Sequence, residues 1–248
     1  MKKLFILFLI LNIFSFASTI TIAVATNVSY AIKELTASFT KLHPNIKVHT
    51  ILGSSGKLTA QIEHHAPYGL FMSANMFYPY RLYKKGFAMG KPMVYAQGEL
   101  ALFSSKKRDF SLGLKLLTQK NIKRIAIANP KTAPYGEATK EALQKVKLYN
   151  LLKPKFVYAE SISQTLSYAR MATNIGIVAK SSLFSKQMKR YKRGIHWKEI
   201  DEKIYTPISQ GIVLLKNCKN KKKYQKFYDF ILSNKAKDIL LKYGYNIQ

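Results

Sequence analysis

At 248 residues the chain is long enough for one large domain or for two lobes with cores of their own. Its 41 Lys and Arg against 12 Asp and Glu give a formal charge of +29. The basic residues run along the whole length, with only modest clusters at residues 186–193 and 219–223. That spread argues against a nucleic-acid module and fits a compositional bias or a general field that attracts anions. Cys218 is the one cysteine, which excludes an intrachain disulfide and a cysteine-based metal site.

Lys2 and Lys3 precede an apolar run over residues 4–16, broken only by Asn12 and Ser15, and Ser15-Phe16-Ala17 has the small-x-small form of a cleavage site. Residues 1–17 therefore read as an export signal. The run is short for a membrane span, and no cysteine stands near the cleavage point to carry a lipid. The mature chain is expected to be soluble and periplasmic.

From residue 18 onward, apolar β-branched runs alternate with helical patterns. Strands are predicted at residues 18–25, 46–52, 70–73, 98–104, 124–128, 155–158, 176–179 and 210–215. Helices are predicted at 31–42, 58–65, 76–85, near 112–117, and at 135–147, 162–172, 222–233 and 235–243, with a basic linker over 188–198. Such alternation predicts an α/β fold with mostly parallel sheets, whose ligands bind beyond the carboxyl ends of strands where helices begin.

Four strand-to-helix turns carry small neutral donors. The first is Ala25-Thr26-Asn27-Val28-Ser29, with the Thr26 hydroxyl and the Asn27 amide. The second is Gly53-Ser54-Ser55-Gly56-Lys57-Leu58. The third runs from Asn129 through Pro134, Tyr135 and Gly136, and the fourth is Ala159-Glu160-Ser161-Ile162, with Ser161 as the cap and Ile162 offering a backbone N–H. Each alone reads equally as an ordinary capping turn. Among the donors singled out in them there is no His, carboxylate or Cys, Glu160 standing beside Ser161. Such a set selects a fully ionised, acceptor-only ligand held at the positive ends of helices.

At these residues the chain resembles the periplasmic molybdate-binding proteins of ABC transporters over essentially its whole mature length. The resemblance rests on Ala25-Thr26-Asn27, Gly53 to Leu58 with Gln61-Ile62, and Ala66-Pro67 followed by Phe71-Met72-Ser73-Ala74. It continues through Asn129-Pro130 to Leu143, Gly176-Ile177-Val178 and Lys242-Tyr243-Gly244-Tyr245. It implies a two-lobed periplasmic-binding-protein fold of type II, each lobe a mixed, mostly parallel sheet flanked by helices, with the ligand in the cleft. Lobe I would span residues 18–97 and 206–248, and lobe II 98–205. The resemblance further implies contacts to molybdate, and to tungstate of nearly the same size, from Thr26, Asn27, Ser54, Ser55, Tyr135 and Ile162. These would touch the oxygens of the anion and not its metal atom. No cofactor and no catalysis are implied. The partners would be the oxyanion and a membrane permease, with the protein itself a monomer.

Three positions depart from the family pattern. Ala179 stands where many members place a ligand Tyr, and Tyr135 could supply the compensating hydroxyl. Gly69 and Asn75 replace usual Asp residues, with a structural effect expected. The residues leave other readings open: a carrier of sulfate or another oxyanion, a ferric-ion carrier, or a hydrolase. Ferric ion would want paired tyrosinates and carboxylates, where the turns offer only Tyr135. A Ser nucleophile would need a base, and His64 and His65 lie roughly two helical turns beyond the second turn with no acid spaced to orient them.

Overall fold

The computed structural model describes residues 18–247; the export-signal reading of residues 1–17 lies outside them. Ten strands form two five-stranded sheets. The first sheet, in spatial order, holds β2 (Ile46–Gly53), β1 (Ser18–Ala25), β3 (Leu70–Ser73), β10 (Ile208–Leu214) and β4 (Met93–Gly98). The second holds β7 (Phe156–Ala159), β6 (Ile125–Ala128), β8 (Ile175–Ala179), β5 (Leu100–Phe103) and β9 (Trp197–Glu199). In each, the first three strands are parallel and the last two run against their neighbours. The predicted α/β class and the mixed sheets are therefore observed, with two parallel and two antiparallel pairings in each sheet.

Helices cover both sheets. On the first lie α1 (Ile32–Leu42), α2 (Ser55–Glu63), α3 (Phe77–Lys84), α7 (Lys221–Leu232) and α8 (Asn234–Lys242); on the second lie α4 (Pro134–Lys145), the short α5 (Tyr149–Leu152) and α6 (Ile162–Met171). Because helices flank both faces, the central strands are buried throughout, which is why Ile20 to Ala25, Ile125 to Ala128 and Ile175 to Ala179 read as near-continuous apolar runs. Among the described residues no helix is long and apolar enough to cross a membrane.

Three local expectations are corrected. The strand predicted over 98–104 is β5, Leu100–Phe103, and the strand just before it in the other sheet, β4 at Met93–Gly98, is not among those predicted. The apolar pattern continues across Glu99, so periodicity alone cannot register a change of partner there. The basic linker contains β9, whose Trp197 packs into the second sheet's core. The helix predicted near 112–117 is a 3₁₀ segment, Gly113–Thr118. The chain crosses from the first sheet to the second at Glu99 and returns between β9 and β10.

Two of the departures from the family pattern have structural causes. A Cβ at Gly69 would overlap the Tyr224 ring. The bare glycine lets the Tyr224 hydroxyl accept a hydrogen bond from the Thr21 amide at 3.0 Å, tying α7 to β1. Asn75 Oδ1 accepts from the Ser73 hydroxyl at 3.3 Å and from the Tyr78 amide at 3.4 Å, ordering the entry to α3.

Candidate functional site

The carboxyl ends of β1, β2, β6 and β7 converge between the sheets; helical turns follow β1, β2 and β7 within two residues, and a five-residue loop leads from β6 to α4. A cavity of about 190 Å³, its mouth included, lies there, lined by Ala25, Thr26, Asn27, Gly53, Ser54, Ser55, Ala74, Ala133, Pro134, Tyr135 and Ile162. All six residues singled out from the sequence thus line one cavity. None of the lining residues is a carboxylate, an amine, a guanidinium or an imidazole.

The second turn supplies the hydroxyls. Ser54 caps α2 by position, yet its side chain makes no cap hydrogen bond, and its Oγ is buried without a partner among the described residues. Ser55 Oγ accepts a hydrogen bond from the Ala74 amide at 3.0 Å, which occupies a lone pair and leaves the hydroxyl proton free to donate. Ser161, by contrast, behaves as an ordinary cap: its Oγ accepts from the Gln164 amide at 3.3 Å. What α6 can offer is the first-turn N–H of Ile162, whose side chain is in the core.

The third turn brings α4 end-on. Gly136 has no room for a Cβ, which would meet the Ala128 carbonyl; its absence lets the start of α4 sit directly on the end of β6. Tyr135, the second residue of α4, offers a first-turn amide. Its hydroxyl goes elsewhere. It occupies the space a side chain at Gly98 would need, beside Gln210, and neither residue lines the cavity. The ring thus reaches the strand crossover, while Tyr135 as a whole still lines the cavity. Asn27 stands near that hydroxyl, but no hydrogen bond joins them, and burial pushes its pKa well up. Ala179 itself is buried in β8, pairing with Leu100, and does not line the cavity.

Asn27 also departs from its sequence reading. Its side-chain N–H₂ donates to Gln210 Oε1 at 2.7 Å and to the Tyr245 hydroxyl at 3.0 Å, so both amide protons are committed away from the cavity. Its carbonyl accepts from Tyr245 at 2.8 Å and from the Ser181 hydroxyl at 3.3 Å. The side chain is a structural node whose Oδ1 is buried without a partner among the described residues, and Thr26 beside it lines the cavity. The pairing of Asn27 with Gln210 and Tyr245 escaped the sequence reading because they lie 183 and 218 positions away, although Tyr245 belongs to one of the motifs quoted above. Lys57 turns outward and pairs with Glu160 at 2.6 Å.

The site is thus a small cavity with hydroxyls and helix-terminal amides and no ionised group. Among the described residues there is also no cluster of His, Cys, Asp and Glu fit to hold a metal ion. Such chemistry suits an anion that carries no proton and disfavours a cation or acid–base catalysis.

Residues 20–246 match the family model described as bacterial extracellular solute-binding protein. The molybdate-binding protein ModA of Rhodobacter capsulatus is 34% identical over 232 residues, 92% of this chain and 88% of that protein. A putative ABC transporter substrate-binding lipoprotein of Bacillus subtilis, YvgL, is 28% identical, over 93% of this chain and 87% of its own. Among solved structures, the periplasmic molybdate-binding protein of Azotobacter vinelandii superposes with a TM-score of 0.85 at 31% identity, covering 92% of this chain and 99% of that one.

Proposed function

The chain belongs to the family of bacterial extracellular solute-binding proteins, and from that premise we propose that it captures molybdate in the periplasm and hands it to an ABC permease. Members of such a family are binding proteins and not enzymes. The observation that carries the choice of ligand class is the unionised cavity, where Ser54 Oγ is buried without a partner and Ser55 retains a free proton. A tetrahedral dianion supplies acceptors for those donors and for the first-turn amides of Tyr135 and Ile162. The names of the Rhodobacter and Azotobacter relatives support molybdate within that class.

In this reading Thr26, Asn27, Ser54 and Ser55 act from one lobe, and Tyr135 and Ile162 from the other, with Asn27 working through its backbone. The lobes are residues 18–97 with 206–248, and 98–205. An anion that touches both stabilises the closed arrangement by its differential contacts, and closure is what the permease reads. Tungstate, nearly the same size, binds alongside molybdate. Phosphate carries a proton near neutral pH and finds no acceptor, while sulfate is too small to reach both walls. The protein acts as a monomer after removal of residues 1–17.

Calorimetry of the mature protein with molybdate, tungstate, sulfate and phosphate tests the reading. Tight binding of the two heavy oxyanions alone is expected. No heat with molybdate, or sulfate bound as tightly, would sink it.

A further inference from the structure

The Gly53-Ser54-Ser55-Gly56-Lys57 turn divides its labour, and its second half does not face the cavity. Ser54 and Ser55 line the cavity, whereas Gly56 and Lys57 do not. The Gly56 amide is spent on Thr132: it donates to the Thr132 carbonyl at 2.9 Å, from α2 on the first sheet to the loop before α4 on the second. The approach is as close as backbone allows. A Cβ at Gly56 would lie 2.9 Å from the Thr132 carbonyl oxygen, 3.1 Å from its Cα and 2.8 Å from the Tyr78 hydroxyl. Two of those three obstacles are backbone and cannot swing aside. This contact lies at the rim, next to the cavity-lining Ser55 on one side and Ala133 on the other.

A backbone-on-backbone contact is a hard wall, unlike a contact between flexible side chains. We infer that Gly56 is a specificity-determining residue: seated on Thr132, it stops lobe closure at one separation and so sets the size of oxyanion that both walls can touch. The inference rests on the capture reading above. A smaller anion cannot draw the walls further in, because Gly56 and Thr132 already touch, so it forfeits contacts with one lobe. A residue larger than glycine holds the walls apart, lowers affinity for the anion that fitted, and erodes the advantage over other sizes. Lys57 and Glu160 provide the internal comparison. Their ion pair bridges the same rim at 2.6 Å, but both side chains are more than half exposed, so it holds the rim closed without determining how far it closes.

The test is calorimetry with molybdate and sulfate on wild type, Gly56→Ala, Gly56→Ala with Tyr78→Phe, and Lys57→Ala. In Gly56→Ala the ratio of sulfate Kd to molybdate Kd is expected to fall at least about tenfold, the scale at which a pocket discriminates by one small group. Lys57→Ala is expected to weaken both anions by a common factor and leave the ratio intact. A folded Gly56→Ala protein with the wild-type ratio overturns the inference, as does a wild-type ratio near one. Should Gly56→Ala fail to fold, the same change in a Tyr78→Phe background carries the test, because it clears the one side-chain obstacle and leaves the two backbone ones. The ratio must fall there too, and an unchanged ratio overturns the inference. If wild type binds neither anion, the capture reading fails separately. The stop is then judged by small-angle scattering of the ligand-free proteins, where Gly56→Ala must be more expanded than wild type and equal radii refute it.

Discussion

Asn27 Nδ2 donates to Gln210 Oε1 at 2.7 Å, and Gln210 is held in that orientation because its own Nε2 donates to the Ile208 carbonyl at 2.8 Å. The pair joins the turn after β1 to the strand by which the chain returns to the first sheet. Gln210 is completely buried, so its amide cannot find water instead. Gln210→Leu strips Asn27 of an acceptor inside the protein and is expected to cost about 1–3 kcal/mol, the penalty for an unpaired buried donor. Urea denaturation of the ligand-free protein measures it. A variant as stable as wild type would show that Asn27 re-pairs.

Ser54→Ala and Ser55→Ala are expected to behave differently in the empty protein and alike toward ligand. The Ser54 hydroxyl has no partner to lose, so its removal leaves thermal stability unchanged or slightly higher. Removal of the Ser55 hydroxyl strands the buried Ala74 amide and lowers stability by about 1–3 kcal/mol. Each should weaken molybdate binding by roughly 1–3 kcal/mol if each donates to the anion. Parallel melting and calorimetry separate the two effects; full affinity in both variants would move the site elsewhere.

Gly98→Ala is expected to destabilise by about 1–3 kcal/mol or more, as overpacking of a tight core does. The new methyl would occupy the place of the Tyr135 hydroxyl and crowd Gln210 Nε2. Tyr135→Phe deletes an unpartnered hydroxyl and is expected to be nearly neutral alone. In the double variant it should recover part of the loss. A double-variant cycle by thermal melting reads the coupling, and strict additivity would mean the two groups do not meet.

The pH dependence follows from what the cavity lacks. With no ionisable group other than Tyr135 on its walls, and that phenol held well above its ordinary value chiefly by burial, molybdate affinity is expected to be flat from about pH 6 to 9. Stability behaves otherwise at the alkaline end. Burial also raises Tyr95 and Tyr245, and pushes Tyr205 up to about 12. Groups raised in the folded state contribute stability that is complete below the unfolded phenol value of about 10 and is lost as pH climbs toward the folded values. Melting temperatures measured at rising pH should fall above that point. A titration of affinity near pH 7 would instead reveal an ionising group at the ligand.

Much of the site was legible in the sequence because each contributor sits in a short segment with its own chemistry: a β-branched run, a turn of small donors, then a helical pattern. That local grammar places Thr26, Ser54, Ser55, Tyr135 and Ile162 at helix starts without any knowledge of packing. Side-chain direction was not legible. Asn27 reads as an amide donor in a ligand loop, and only partners at Gln210 and Tyr245 show its protons already committed. Tyr135 reads as a donor through its amide or its hydroxyl, and only the bare backbone at Gly98 shows where the hydroxyl lies.

The alternation of period-two and helical patterns and the small neutral donors at helix starts are properties of contiguous residues, and the chain carries them whatever its surroundings. The switch of sheets at Glu99, the placing of Trp197 in a core, the spending of Asn27 on Gln210 and the seating of Gly56 on Thr132 all join residues remote in sequence. Such contacts exist only once the chain has collapsed and each buried polar group must find a partner or go without. Local pattern therefore selects which donors the protein owns, and tertiary packing decides which of them are left for a ligand.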